Sequence, residues 1–409
     1  MPKIKILVIP PDTYGVGKFR ILDPFKYIGE FHSDDVHVDI SFKPENSNEF
    51  FMNYDIVVFH SFIHQTNHDD NIRRILWLKK QGIKVIMDID DLWFVDQKHP
   101  MYSKVKNEKI GEKKIEMLKL SDYVTTTTPI FAKTIKDSLK INNVIVFPNA
   151  VNEDEPQFQN KKVESDLIRF GWLGGSSHMQ DLELLRKGIS TIHNGYKNKV
   201  QFVLCGFDLR GTVTEIKKET GEHKTRPINP METVWYEYEK IFSDNYSAFD
   251  EEYKNYLLEF TVRPFLMDNE KSYVRKWTEE VNTYAKNYNY FDVSLAPLAN
   301  TKFNANKSQL KIIEAGFHKK AIIASETEPF TLNLVSAVDN GVFNNYGNAL
   351  LVPPNRDHKD WAKHIKRLID NPNMIEDLGN RLYETVKDKY SLKKVCQDRV
   401  DFLKSIINK

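Results

Sequence analysis

Short apolar runs alternate with amphipathic stretches through the first half of the chain. Ile4–Ile9, Ile56–Phe59, Val85–Ile89, Tyr123–Thr126 and Val144–Phe147 are bounded, rich in β-branched residues and of strand length. Between them lie helical patterns such as Asp69–Gln81 and Asn107–Leu120. The alternation predicts βα units and a parallel sheet. Such sheets bind ligands beyond the carboxyl ends of their strands.

The pattern then restarts. After Pro148-Asn149-Ala150, the stretch Asn152–Asp166 is polar and acidic and reads as a linker. Ile168–Leu173 opens a second series, continued by Val200–Leu204, Phe291–Leu295, Ala321–Ala324 and Ala349–Val352. The expected organisation is α/β, with two doubly wound domains at 1–155 and 165–385 and a helix at 386–409 that packs back on the first. Trp361, Ile365 and Leu368 fall at helix spacing, and Asn371-Pro372 breaks the C-terminal helices. Residues 208–283, rich in Tyr, Trp and charge, are expected as a largely helical insertion in the second domain. Trp235, Tyr236, Tyr238, Tyr246, Tyr273, Arg275 and Trp277 there suit stacking on sugars or bases and equally suit packing of the insertion itself.

Composition narrows the class. A chain of 409 residues exceeds one ordinary core. Its 41% hydrophobic and 28% charged residues are the balance of a packed globular protein. A net charge of +1 gives no bulk attraction to nucleic acid or anionic membranes, and a local basic patch stays open. Cys205 and Cys396 are far apart and lack metal-ligand spacing, so reduced cytoplasmic thiols are expected. The apolar run Ile6–Ile9 is too short for a signal-peptide core or a membrane span. A cytoplasmic location is expected, with peripheral attachment to a membrane left open. His64 and His68 are spaced i, i+4 without a third ligand, so no metal site is expected.

Four segments can carry chemistry. Gly15-Val16-Gly17-Lys18-Phe19-Arg20 follows the first strand, where glycines let backbone amides approach a phosphate and Lys18 and Arg20 favour an anion. A tight structural turn explains it as well. Gly174-Gly175-Ser176-Ser177 holds the equivalent place in the second half and offers backbone donors and hydroxyls. The run from Asn304 to Gly316 puts Lys307 and Ser308 near a helix start and Glu314 two turns along the same face. A cation at the mouth can meet a diphosphate, and a deeper carboxylate can hold ribose hydroxyls. The bland alternative is a solvated Lys and a surface Glu. Asp88-Ile89-Asp90-Asp91 ends an apolar strand, where unpaired buried carboxylates are costly. Helix capping is their simplest structural role, and Asp90 and Asp91 are the catalytic candidates, with His60 at the same sheet edge.

Asp292-Val293-Ser294-Leu295-Ala296-Pro297-Leu298, Phe303-Asn304, Lys307-Ser308, Leu310–Gly316 and Ile322–Ser325, with Pro148-Asn149-Ala150 and Gly347–Val352, carry a family resemblance. The chain resembles the glycosyltransferases with two Rossmann-like domains facing across a cleft (the GT-B fold). It is most similar to the retaining family 4, or group 1, in its bacterial and phage-type members. The resemblance implies transfer of a sugar from a nucleotide diphosphate sugar, with retention and with no metal or other cofactor required. It puts the acceptor on the first domain and the donor on the second. Of the family's pair of glutamates eight positions apart, the second matches Glu314, expected on the nucleotide ribose, and the first falls on Asn306. The family's loop Arg and Lys fall on Gly175 and near Gln180, so Lys307 becomes the expected diphosphate cation, with Lys18, Arg20 and the loop amides in support. A His-Asp pair near the sugar in many members aligns with Asp90-Asp91. The acceptor stays open among glycan, lipid-linked glycan, protein and modified DNA bases.

Three other readings are compatible with the residues. Asp88 and Asp90 can form the carboxylate pair of a metal-dependent transferase. Met87-Asp88-Ile89-Asp90 resembles the nucleophile strand of haloacid dehalogenase-like phosphatases, although Leu92 departs from that motif. Asn306 and the missing Arg are also compatible with a catalytically inactive sugar-nucleotide binder.

Overall fold

The computed structural model describes residues 3–64, 67–196, 198–208, 212–216, 223–243 and 272–407. The first sheet comprises β1 (Ile4–Ile9), β2 (Val36–Ile40), β3 (Ile56–His60), β4 (Lys84–Asp88), β5 (Tyr123–Thr126) and β6 (Val144–Val146). Their order is β2-β1-β3-β4-β5-β6, and every pairing is parallel. The pleat divides β1 between two cores. Leu7 and Ile9 face one with Ile75 and Leu78, while Ile6 and Val8 face the other with Phe25 and Ile28. Burial on both faces explains why these strands read as continuous apolar runs. Helices between them start at sequence-encoded caps: Asn67 accepts from the Asp70 amide at 2.9 Å, and Thr128 accepts from Phe131 at 3.1 Å just before Pro129. The helix expected over Asn107–Leu120 is two, Tyr102–Asn107 and Ile110–Leu120, separated where Lys109 turns left-handed at φ 52°.

The second lobe opens with β7 (Ile168–Leu173) and β8 (Val200–Phe207), followed by β9 (Thr212–Ile216) and β10 (His223–Pro227), an antiparallel hairpin. Then come β11 (Tyr273–Trp277), β12 (Val293–Ala296), β13 (Ala321–Ser325), the short pair β14 (Val338–Asp339) and β15 (Val342–Phe343), and β16 (Leu350–Val352). The sheet runs β11-β8-β7-β12-β13-β16, again all parallel.

The stretch 208–283 is therefore not all insertion, nor largely helical in its described part. Its described residues include the hairpin, a helix at Val234–Phe242, and a strand that extends the second sheet. Arg275 disguised that strand: its guanidinium is buried because Glu239 of the helix accepts from it at 2.6 Å. Trp235 and Tyr238 pack in the lobe's core, and Tyr246 lies outside the described residues.

The expected linker is also partly structural. Pro156–Phe158 forms a turn whose Phe158 joins the second lobe's core, and the Gln157 carbonyl accepts from His318 at 2.9 Å. At the far end, Leu392 donates to the Val151 carbonyl at 2.8 Å, so the chain's two crossings between the lobes lie side by side. The last helix, Leu392–Ile407, buries Val395, Val400 and Leu403 with Ile4, Ile6 and Phe25 of the first lobe.

Candidate active site

Parallel strands release all their following loops on one sheet edge, and here two such edges border one cleft of about 740 Å³. The first lobe contributes Tyr14 and Gly15 beyond β1, Asp90 and Asp91 beyond β4, and Asn149 beyond β6. The second contributes Gly174 and Gly175 beyond β7, Gly206 of β8, Thr278 and Glu279 beyond β11, and the helix residues Lys311 and Glu314. The volume lies within the roughly 300–1,000 Å³ of small-ligand sites.

The acidic run beyond β4 divides into two roles. Asp88 is fully buried, and both its oxygens accept from Arg20, at 3.0 Å from Nε and 2.7 Å from Nη2. Thr125 adds a hydroxyl at 2.6 Å. Burial works against the Asp88 charge, but the Arg20 guanidinium outweighs it and holds the carboxyl below its ordinary range. Arg20 also donates to the Phe147 carbonyl at 2.5 Å and to Asn149 at 3.2 Å. Asp88 is not among the residues lining the cleft. Its donor set is that of a structural ion pair, which leaves it poorly placed as a metal ligand beside Asp90 or as a phosphatase nucleophile.

Asp90 and Asp91 do line the cleft. Burial opposes the Asp90 charge, yet the His60 ring, 3.0 Å from its Oδ1, holds it low. The other ring nitrogen of His60 meets the Ser61 hydroxyl at 2.9 Å. Among the described residues no ring or cation pairs with Asp91 in this way, and burial followed by repulsion from Asp90 raises it to about 6. Two adjacent carboxylates with acidities pushed apart can divide acid–base work. His60 does not line the cleft and acts on it only through Asp90.

Across the cleft, Gly174 permits a close approach. A Cβ there would lie 2.5 Å from the Trp172 ring and 3.0 Å from Lys311 Nζ, whereas one on Gly175 would meet nothing within 4 Å. Glu314 is buried on its helix, with Tyr284 donating to Oε1 and Tyr288 to Oε2 at 3.1 Å. Burial raises its pKa to about 7, against the lowering effects of Tyr284 and Lys311. Lys307 lines the cleft and also a neighbouring pocket of about 270 Å³, and among the described residues no carboxylate pairs with it. Ser308 accepts from Asn149 at 3.0 Å, a hydrogen bond between the lobes.

The structure therefore gathers Gly15, Arg20, Asp90, Asp91, Gly174, Gly175, Lys307, Ser308 and Glu314 around one cavity. Others stand apart. Gly17 starts a π-helical turn, and its missing Cβ makes room for the Asp12 carbonyl, 2.0 Å from where that atom would be. Lys18 points away from the cleft and is held by Asp23 at 2.8 Å and Glu155 at 3.0 Å. Arg20 borders the cavity but is committed to Asp88. Ser176 lines the neighbouring pocket only. Sequence reasoning missed Lys311. It lies one turn before Glu314 on the same helix face, and that spacing is the signal that could have marked it.

Two facing parallel sheets with ligand loops on a shared cleft define the fold of the glycosyltransferases with two Rossmann-like domains. Among solved structures, the chain is similar to a glycosyltransferase from Rickettsia africae ESF-5, at 13% identity over 100% of this chain and 99% of that one, with a TM-score of 0.58. It is similar to Anabaena Alr3699/HepE in complex with UDP and glucose, at 9% identity over 98% and 100%, with a TM-score of 0.58. The catalytic domain of Starch Synthase IV from Arabidopsis thaliana, bound to ADP and acarbose, matches at 10% identity over 100% and 99%, with a TM-score of 0.56. No family model and no curated protein matches the sequence.

Proposed function

We propose that the chain transfers a sugar from a nucleotide diphosphate sugar to an acceptor, with retention of anomeric configuration and without a metal ion, as in family 4. The observation that carries this reading is the single cleft that sets Asp90 and Asp91 of the first lobe against Lys307 and Glu314 of the second. Structures of similar fold are described with UDP-glucose in HepE and with ADP in Starch Synthase IV. In this assignment the donor nucleotide lies on the second lobe, with its ribose at Glu314, and the acceptor approaches from the first.

Departure of a nucleoside diphosphate gives the anomeric carbon oxocarbenium character and puts negative charge on the leaving oxygens. Lysine side chains and the backbone amides of the Gly174-Gly175 loop stabilise that charge in a cleft closed to water. Asp91 takes the acceptor proton, and Asp90, fixed by His60, orients the group transferred. The acceptor is a glycan, a lipid-linked glycan, a protein or a modified DNA base, met in the cytoplasm.

A panel of nucleotide sugars tests the reading. The right donor, at a hundredfold excess over its Kd, stabilises the protein by about 2.7 kcal/mol and is hydrolysed slowly when no acceptor is present. Hydrolysis continues in a chelator, and the released sugar keeps its anomeric configuration by NMR. If no donor raises the melting point, the reading fails. Asn306 favours a second reading, an inactive donor binder: its side chain is buried away from the cleft, with its amide donating to the Lys302 carbonyl at 2.7 Å. Tight binding without hydrolysis or transfer would select that alternative.

A further inference from the structure

An anion entering this cleft meets an unfavourable field. Asp12, Asp90, Asp91, Glu279 and Glu314 line it, and Arg20 is already paired with Asp88. Lys307 and Lys311 are the lysines of the lining, and Lys307 sits at the border with the neighbouring pocket.

Lys311 is held in an unusual way. Its ammonium lies over the Trp172 ring at 4.9 Å and donates to the Leu173 carbonyl. Its ammonium packs closely against the loop beyond β7, where a Cβ on Gly174 would stand 3.0 Å from it. Among the described residues no carboxylate lies within ion-pair distance of it, although it is half-buried. An ammonium has three donors, and the acceptor it meets here is a neutral carbonyl. Glu314 and Asp181 act on it from beyond ion-pair distance and Lys307 opposes them, and a partly desolvated charge held this way is costly, which makes a structural role a poor explanation for it.

We propose that Lys311 is the cation that grips the diphosphate of the donor, reaching it from the helix wall through the gap at Gly174. The proposal rests on the nucleotide-sugar reading above and names the group that holds the leaving anion. A consequence follows for protons. Burial lowers Lys311 to about 8, so part of the empty protein carries a neutral amine in mildly alkaline solution. An arriving diphosphate restores the charge, and binding there takes up a proton.

Calorimetry at pH 8 in two buffers of different ionisation enthalpy tests this, with uridine, guanosine, adenosine and thymidine diphosphates and the matching nucleosides as probes. The parent binds one diphosphate with proton uptake. Lys311→Met weakens that diphosphate by roughly 10- to 100-fold, loses the uptake, and leaves the nucleoside affinity unchanged. Its melting point is equal to the parent's or higher, because removing a half-buried charge without an ion-pair partner relieves the fold. A guanidinium placed by Gly175→Arg in the Lys311→Met background, where a side chain meets nothing within 4 Å, returns affinity without proton uptake.

Unchanged diphosphate affinity in Lys311→Met overturns the proposal, as does an equal loss of nucleoside binding. If that variant does not fold, the parent alone decides, because diphosphate binding without proton uptake overturns it too. A parent that binds none of the four diphosphates instead removes the nucleotide-sugar reading, and this inference with it.

Discussion

Arg20 separates a phosphate-binding loop from a structural one, and the structure gives its replacement a definite magnitude. In Arg20→Met, Asp88 loses both guanidinium contacts and keeps only the Thr125 hydroxyl, in a site 1% exposed. Breaking a buried pair by removing one partner costs about 3–5 kcal/mol. The Phe147 carbonyl and Asn149 lose a donor as well, which pushes the expectation to the upper end of that range. For a domain of 150–250 residues, at roughly 2–4 °C per kcal/mol, the first lobe melts some 6–20 °C lower. Urea unfolding and calorimetry measure the loss. The double variant Arg20→Met/Asp88→Leu recovers most of it, since an apolar pair of similar volume replaces the ions. The pH dependence has a fixed sign. Asp88 is held below its ordinary value, so its contribution is present above the usual carboxylate range and is lost only as pH falls through the lowered value. In Arg20→Met burial acts on Asp88 without the guanidinium and raises its carboxyl, so the deficit widens as pH climbs through the carboxylate range and narrows in stronger acid. Stability within about 1 kcal/mol of the parent, together with weakened nucleoside diphosphate binding, refutes the reasoning and returns Arg20 to the ligand.

Glu314→Gln weakens nucleotide binding and changes the pH profile of stability: the parent's carboxyl, raised to about 7, favours the fold below pH 4.5 and loses that advantage as pH rises to 7. The melting point of the Gln variant relative to the parent therefore climbs across that window and levels off above it. Asp91→Asn lowers turnover by about 10²- to 10⁴-fold with donor affinity kept. It also removes the acid limb of kcat/KM expected near pH 6, where the group raised to about 6 must ionise; undiminished turnover dismisses Asp91 as the base. Gly174→Ala drives a methyl to 2.5 Å from Trp172 and costs about 1–3 kcal/mol along with ligand affinity. Gly175→Ala meets nothing within 4 Å and stays within about 0.5 kcal/mol of the parent, so equal behaviour of the two variants contradicts the loop geometry.

The doubly wound organisation was legible because parallel strands buried on both faces leave a strong local signature, as in Ile6–Ile9 of the first sheet and Ala321–Ala324 of the second. Strand β11 was not legible for a matching reason. Tyr273–Trp277 places Arg275 and Lys276 in a sheet, and the buried arginine is met there by Glu239, thirty-six positions away in sequence, and by the Phe207 ring. The turn at Pro156–Phe158 was hidden in the same way, because an acidic stretch reads as solvated until Phe158 and the Gln157 carbonyl are seen to meet the second lobe.

Within the site, position was easier to read than role. Glycine loops, an acidic strand end and the stretch from Lys307 to Glu314 all mark the sheet edges where ligands bind, and the cleft forms there, although the helix begins only at Leu310 and Lys307 precedes it. The partner of each charge is a long-range property. Lys18 and Arg20 look alike in a glycine loop, yet Glu155 lies 137 residues from one and Asp88 lies 68 from the other. Both cations are thereby withdrawn from the ligand, and an ammonium in an apparently ordinary helix turn, Lys311, stands unpaired in the cleft wall instead. Charges that the fold leaves without a partner are the ones available to a substrate, because pairing within the protein already satisfies the rest. Motif spacing alone does not reveal that distinction, and in this chain it removes Lys18 and Arg20, the supporting cations expected on the first lobe, and leaves Lys307 and Lys311 of the second in the cleft lining.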